Sequence, residues 1–305
     1  MASPPSAAAL AIATIVAAAS TFVAMRSVQP DDPARRRRAL AIAIGVALAT
    51  TALLVWQVDR AAVLCTLVMD DAAAETRLLA MATMFGLLAA AIATDLDSYV
   101  IPDSITLPGT LAGLTIAAVT GRSQLVHLWT DWRVAIPRVR GPAVPAWIDS
   151  HPHWHGVAFS LSGAAVGLGV MLALRGAASR VMRQEAMGAG DATLMMMVGS
   201  FVGWQPTLIA IFAAPILGVG VAVLTRLVTG RTLVAFGPYL AAATFGMVAW
   251  WEPVWMFGAE RELRQSPELG LLFSDLVVVV GTLVGIVAAT AAALFALRLL
   301  RPSAD

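Results

Sequence analysis

Two aspartates stand at the ends of uncharged stretches that lie far apart in the sequence. Asp95 directly follows the run Leu78–Thr94, and Asp191 directly precedes the run Ala192–Gln205. Two carboxyl groups held close together cannot both ionise cheaply, so one keeps a proton and the pair titrates as a unit. Such a pair can deprotonate a water molecule for attack on a peptide carbonyl and protonate the leaving amine. Asp95 and Asp191 are therefore candidates for acid–base chemistry on an amide bond.

Each acidic residue also has an ordinary structural interpretation. An Asp at a helix N-terminus interacts favourably with the helix dipole and can cap the helix. That interpretation suits Asp103, which follows Pro102, and it applies equally to Asp191. We expect Asp97 to be a solvated loop residue. Asp95 fits poorly, because an acid at a helix C-terminus opposes the dipole. An ionisable group placed against that preference at membrane depth is a functional candidate.

Two glycines, Gly188 and Gly190, directly precede Asp191 in the stretch MGAGD. Without side chains, they let a substrate backbone or a neighbouring helix approach Asp191 closely, and they allow the chain to unwind before the helix. Non-helical backbone at membrane depth is tolerated only where protein or a water-filled cavity covers it. The glycines are therefore consistent with a covered, water-accessible site around Asp191.

The composition indicates a membrane protein. Of the 305 residues, 59% are hydrophobic and only 13% are charged, whereas a typical soluble domain is about 25% charged. The mean hydropathy is +0.81, and the net charge of +1 gives no reason to expect a nucleic-acid partner. We predict an all-α polytopic bundle in the lipid bilayer, with about nine transmembrane helices of about 20 residues each, at Ala7–Met25, Ala39–Val58, Leu78–Thr94, Ser104–Thr120, Gly156–Leu174, Ala192–Gln205, Thr207–Thr225, Thr232–Trp251 and Leu276–Leu297.

Arginine placement predicts the orientation of these helices, because cytoplasmic loops carry an excess of basic residues. All twenty basic residues are Arg, and five of them lie at residues 26–38. If that loop is cytoplasmic, the N-terminus lies outside, the C-terminus is cytoplasmic, and twelve Arg lie inside against eight outside. Half of the outer Arg lie in the long loop 121–155, where the rule carries less weight. This orientation places Asp95 and Asp191 on the same, cytoplasmic side of the membrane.

Three motifs resemble those of the type IV prepilin peptidase family, the bacterial branch of the GxGD intramembrane aspartic proteases. The first pattern is an Asp followed six residues later by Ile-Pro-Asp, here Asp95 and Ile101–Asp103. The second is Gly-x-Gly-Asp and a downstream stretch, here Gly188, Gly190 and Asp191, then Leu194, Val198, Gly199 and Gly203. The third resembles P-F-G-P-F-L-A, here Phe236–Ala241. The motifs occur in the family order.

The resemblance implies a function and a site. Asp95 and Asp191 would be the catalytic pair, with Gly188, Gly190, Pro102 and Asp103 in supporting or substrate-binding roles. The substrate would be a prepilin or pseudopilin precursor, cleaved after a short basic leader at the cytoplasmic face of the bacterial inner membrane. The resemblance implies no metal and no organic cofactor.

The chain departs from the family pattern at two places. Thr193 stands where the family has Lys, so a cation near the second motif is lost. Many members carry a domain with two C-x-x-C pairs and methylate the new N-terminus, whereas this sequence has the single Cys65. We therefore expect the form without the cysteine-bearing methyltransferase module. Thr193 keeps open an inactive member that serves as an assembly scaffold. A proton-coupled transporter is the weaker alternative, because transporter sites lie near the midplane between repeats and no repeat is visible.

The motifs divide the chain into three parts. Residues 77–251 would form the peptidase core, residues 1–76 an N-terminal pair of helices of unassigned role, and residues 252–305 an outer loop and a last helix. The stretch HPHWH at residues 151–155 raises a second hypothesis, because alternate histidines on a strand share one face and imidazole suits Zn or Cu. Pro152 and the absence of a nearby acidic or Cys ligand favour a polar loop at the membrane interface instead.

Overall fold

The computed structural model of the chain is built of helices. It describes residues 7–28, eight positions between 34 and 52, and residues 71–121, 123–129, 145–183, 187–229, 236–255, 257 and 268–299. In this part of the chain every regular element is an α-helix, as predicted. We number them α1 (Ala7–Val28), α2 (Asp71–Ser98), α3 (Asp103–Thr120), α4 (Ala146–Ser150), α5 (Pro152–Met182), α6 (Ala189–Val202), α7 (Trp204–Thr229), α8 (Gly237–Ala249), α9 (Trp251–Trp255), α10 (Glu268–Phe273) and α11 (Leu276–Leu299).

The longer described helices lie where the spans were predicted, but several differ from the predicted spans in length. Most of the second span, Ala39–Val58, lies outside the described residues. The eighth, predicted at Thr232–Trp251, is represented by α8, a helix of only 13 residues. Among the described residues, two segments are long and apolar enough to cross a membrane, Glu75–Leu96 in α2 and Pro152–Met182 in α5. The total of nine spans therefore remains a prediction.

Helix α6, which carries Asp191, is the central helix. It packs against α2, α3, α5, α7 and α8. From Asp191 to Val202 every side chain is buried except those of Thr193 and Met196, which are half-buried. A helix that is apolar and buried on all sides lies in the core of a bundle. Neighbouring helices therefore fix the position of Asp191.

Helices α5 and α6 approach each other closely because both carry glycine at the contact. A Cβ on Gly163 would collide with the carbonyl oxygen of Gly199, and a Cβ on Gly199 would collide with that of Gly163. One turn away, Gly167 lies equally close to the backbone of Met195. Small residues that allow backbones to touch are typical of helix packing in membranes, where dispersion contacts supply much of the association energy.

Helix α1 packs on α2, the helix that carries Asp95 in its last turn. Ala13 and Ala17 of α1 form a small apolar cluster with Leu78 and Ala82 of α2. The Thr21 hydroxyl donates a hydrogen bond to the Gly86 carbonyl oxygen at 2.9 Å. At least one of the two N-terminal helices left unassigned by the sequence is therefore attached to the core.

The opposite end of α6 is closed by residues 123–129, a non-helical segment with little solvent exposure. Trp204 Nε1 donates a hydrogen bond to the Leu128 carbonyl oxygen at 2.9 Å. The Leu128 N–H donates to Nε2 of His155 at 3.0 Å. This end of the bundle is thus held by side chains from α5 and α7.

The expectation of a loop at residues 151–155 is wrong. Pro152 begins helix α5, because proline's fixed φ suits the first helical position and its missing N–H needs no partner there. His155 is buried in that helix, whereas His151 and His153 are exposed. Among the residues that the structure describes, no group of three or more His, Cys, Asp or Glu side chains is placed to hold a metal ion.

Candidate active site

Asp95 lies in the last turn of α2, as predicted, and is 6% exposed. The Tyr99 N–H donates to the Asp95 carbonyl oxygen at 2.9 Å, which closes the last turn of the helix. Tyr99 itself has φ of 56°, a left-handed conformation that is rare for a bulky residue. Asp97 lies in the same turn of α2, not in a loop as expected, because the helix continues to Ser98.

The Asp95 side chain contacts the start of a distant helix. Its Oδ2 accepts a hydrogen bond from the Gly237 N–H, the first residue of α8, at 3.0 Å. The N-terminus of a helix carries unpaired N–H groups and a partial positive charge that stabilise a carboxylate. Helix α8 therefore compensates for the unfavourable position of Asp95 at the C-terminus of α2.

Asp191 lies in the first turn of α6 and is 8% exposed. Its carboxylate accepts a hydrogen bond from the backbone N–H of Gly188, the residue that caps the helix. That contact is half of a capping box. Asp191 therefore also helps to cap its helix, as the structural interpretation of this residue expected. Asp191 also lies close enough to Asp95 for their charges to repel. The structure thus brings the two predicted aspartates together, 96 positions apart in the sequence.

The two glycines before Asp191 differ in what surrounds them. A Cβ on Gly190 would lie 2.8 Å from the carbonyl oxygen of Ile101 and 2.9 Å from its Cβ, so only glycine fits there. A Cβ on Gly188 would meet Asp191 Oδ2 at 3.6 Å, an ordinary contact, and Gly188 is exposed. Gly190 therefore permits close packing of the motif segments, whereas Gly188 leaves the approach to Asp191 open.

Pro102 and Asp103 begin helix α3, but Asp103 does not cap it as expected. Pro102 occupies the capping position and makes no side-chain cap hydrogen bond, which places Asp103 one residue inside the helix. The exposed Asp103 carboxylate instead accepts a hydrogen bond from the Thr193 hydroxyl at 3.2 Å. Asp103 therefore joins the N-terminal turns of α3 and α6.

Two residues of this site lie in the motifs, but the sequence assigned them no role. Gly237 donates to Asp95, and Ile101 lies between Gly190 and Gly237. Both belong to motifs that the sequence displays, Ile101–Asp103 and Phe236–Ala241. Their contacts join segments more than 80 positions apart, so no local pattern reveals them. A glycine followed by Pro238 at the start of an apolar helix was the available signal for Gly237.

Comparison with known proteins gives a consistent identification. The type IV leader peptidase family matches residues 144–223, a segment that contains Asp191 and its glycines. A prepilin leader peptidase/N-methyltransferase from Myxococcus xanthus is 31% identical over 137 residues. Proteins of the same name from Escherichia coli and Pseudomonas putida are 27% identical over 161 residues and 28% identical over 164 residues. These matches support a place for the chain in the type IV leader peptidase family.

The likeness to these relatives of the type IV leader peptidase family is partial. The alignments cover 45%, 51% and 53% of this chain, and 31%, 57% and 46% of the three relatives respectively. No solved structure matches the chain significantly. Together, the family and the long apolar helices indicate a membrane protein.

Proposed function

We propose that this chain is a membrane-embedded aspartic endopeptidase that cleaves the leader peptide of type IV prepilin-like precursors. The observation that carries the proposal is the meeting of Asp95 and Asp191 where the end of α2 meets the starts of α3, α6 and α8. Both carboxyl groups are buried, as catalytic acids and bases often are. The relatives are prepilin leader peptidases by name, and this supplies the substrate class.

The two carboxyl groups would divide the chemistry of peptide hydrolysis. A water molecule held between them loses a proton to the ionised carboxylate while its oxygen bonds to the carbonyl carbon of the substrate. The protonated carboxyl group stabilises the oxyanion that forms and, after proton redistribution, the leaving nitrogen is protonated as the C–N bond breaks. One proton remains on the pair at the end, so Asp95 and Asp191 are ready for a second turnover.

The location of the pair suggests how substrate arrives. In the proposed orientation the N-terminus lies outside, the C-terminus is cytoplasmic, and the aspartates face the cytoplasmic side of the bacterial inner membrane. The hydrophobic N-terminal segment of a precursor would lie in the bilayer beside the bundle, with its leader at the surface. Residues 77–251 would form the peptidase core. Helix α1 from the N-terminal part packs on α2 of that core, and α11 from the C-terminal part packs on α5.

Thr193 supports an inactive scaffold less than its departure from the family pattern suggests. Its hydroxyl contacts the Asp103 carboxylate and the Gly190 carbonyl oxygen, at 3.2 and 3.1 Å. A Lys at this position would begin beside the exposed Asp103 carboxylate. Its absence therefore removes a charge from the rim of the site, while Asp95 keeps its hydrogen bond from Gly237.

The test is cleavage of a prepilin-like precursor from the same genome, co-expressed with wild type, Asp95→Asn or Asp191→Asn. Asn preserves size and removes the ionisable carboxyl group, so we expect cleavage by wild type and loss of more than about 100-fold in each variant, the scale of a missing acid or base. The measurement is the shift of the precursor band, with the new N-terminus determined by mass spectrometry.

Asp275→Asn is the matched control. Asp275 caps α11, accepting the N–H groups of Val277 and Val278 at 2.9 and 3.3 Å, and Asn is an equally good cap. We expect this variant to cleave like wild type. Cleavage that survives in Asp95→Asn or Asp191→Asn would exclude the catalytic pair. A folded wild-type protein that cleaves no precursor would favour the scaffold.

A further inference from the structure

Ile101 is a buried residue in contact with both halves of the candidate site. It is 6% exposed and lies in the short link between α2 and α3. Its backbone faces Gly190, where an added Cβ would lie 2.8 Å from the Ile101 oxygen and 3.3 Å from its nitrogen. Its side chain faces Gly237, where an added Cβ would lie 3.0 Å from the Ile101 Cδ1. Ile101 therefore touches α6 through its backbone and Cβ, and α8 through the end of its side chain.

The two glycines in contact with Ile101 are each attached directly to one of the aspartates. Gly190 is bonded to Asp191 in the chain, and the Gly237 N–H donates to Asp95 Oδ2 at 3.0 Å. A shift of α6 or α8 along Ile101 would therefore move one carboxyl group relative to the other. Because close-packed interiors transmit displacements instead of absorbing them, the volume of Ile101 bears on the distance between the pair.

We infer that Ile101 is a positioning residue that sets the spacing of Asp95 and Asp191 by separating Gly190 from Gly237. The inference rests on the proposed function and names a residue that acts through the two glycines without touching substrate. The terminal Cδ1 methyl group is the part that reaches α8, and the backbone is the part that supports α6. Shortening the side chain leaves the contact with Gly190 intact and removes only the contact of the Cδ1 methyl group with Gly237.

The test compares Ile101→Val with Ile211→Val. Each removes one methyl group from a buried isoleucine, but Ile211 lies in the core on α7 and is 1% exposed. We expect Ile101→Val to lower kcat for precursor cleavage about tenfold with KM unchanged, because displacements of about 1 Å cost about 100-fold. Ile211→Val should stay within about twofold. Ile101→Leu, which keeps a terminal methyl group, should recover most of the lost rate.

A second readout does not depend on cleavage. Protein labelled with ¹³C at the Asp side chains is titrated by NMR, with the two signals assigned from Asp95→Asn and Asp191→Asn. A closely spaced pair titrates in two separated steps, and the separation shrinks as the carboxyl groups move apart. We expect a smaller separation in Ile101→Val than in wild type and no change in Ile211→Val.

The outcomes separate this inference from the proposed function. If wild type cleaves no precursor, the proposed function fails, while the titration still decides the role of Ile101. An Ile101→Val protein with the wild-type separation of steps, or with a loss of kcat no larger than that of Ile211→Val, would overturn the inference. A rise in KM with unchanged kcat would also overturn it, because that pattern marks lost substrate binding.

Discussion

Gly237 offers the sharpest test of the site, because its backbone and its missing side chain both bear on Asp95. In Gly237→Ala the new Cβ would lie 2.6 Å from Asp95 Oδ2 and 3.2 Å from its Cγ. Ordinary contact begins at 3.4 Å, so the carboxyl group must retreat by about 0.8 Å or α8 must move. Either movement lengthens the 3.0 Å hydrogen bond from the Gly237 N–H.

Two effects combine in the expected loss. A displacement of about 1 Å in a catalytic group costs about 100-fold in rate. A hydrogen bond to a charged group contributes about 1.5–3 kcal/mol, and losing it leaves the Asp95 carboxylate with less support in a buried position. We therefore expect Gly237→Ala to cleave precursor at least about 100-fold more slowly than wild type, while the protein still inserts and folds.

The assay is precursor cleavage in membranes, followed over time at equal amounts of enzyme. Gly246→Ala is the matched control, since it makes the same change in the same helix, where the new Cβ would meet only the Trp250 ring at 3.7 and 3.8 Å. We expect it to retain wild-type activity. A Gly237→Ala protein that cleaves at the rate of Gly246→Ala would refute the placement of α8 against Asp95.

Two further predictions concern the packing and the rim of the site. Gly163→Ala forces a methyl group against the Gly199 carbonyl oxygen, so we expect the free energy of unfolding to fall by about 1–3 kcal/mol and the Tm in detergent to drop. Gly169→Ala, on the same helix with no described atom within 4 Å of the new Cβ, should leave the Tm equal to that of wild type or higher. Equal Tm values for the two variants would contradict the close α5–α6 contact. Thr193→Lys should change the cleavage rate by less than about fivefold, because an exposed ion pair with Asp103 contributes about 0–1 kcal/mol; a gain near 100-fold would show that this position acts on the catalytic pair itself.

The sequence predicted the helices well because their signal is local. The apolar runs predict α2, α3, α5 and α11, and the majority of the predicted ends lie within a few residues of the observed ones. Pro102 marks the break before α3. The number of membrane crossings is a different question. A helix such as α8, with 13 residues, is apolar enough but short, and burial among neighbours replaces contact with lipid.

The sequence also singled out the two aspartates, and for Asp95 it did so through a conflict. Its position opposed the dipole of its own helix, which made it a functional candidate. Its hydrogen-bond partner is the N-terminus of α8, 142 positions away, and only the folded chain shows it. The expected cap at Asp103 failed because Pro102 occupies the capping position, without a side-chain cap hydrogen bond. The Asp103 carboxylate, one residue inside the helix, accepts a hydrogen bond from the Thr193 hydroxyl instead.

The length of α6 has a consequence for the surrounding lipid. A helix of 14 residues is about 21 Å long, whereas the hydrocarbon core of a bilayer is about 30 Å thick. If its C-terminal end reaches one interface, Asp191 at its N-terminal end lies several ångströms inside the other. Water and substrate must then meet below the level of the lipid headgroups, or the bilayer must thin around the bundle. In the proposed function, the thickness of the host membrane is thus part of the geometry that would deliver a peptide bond to the carboxyl pair.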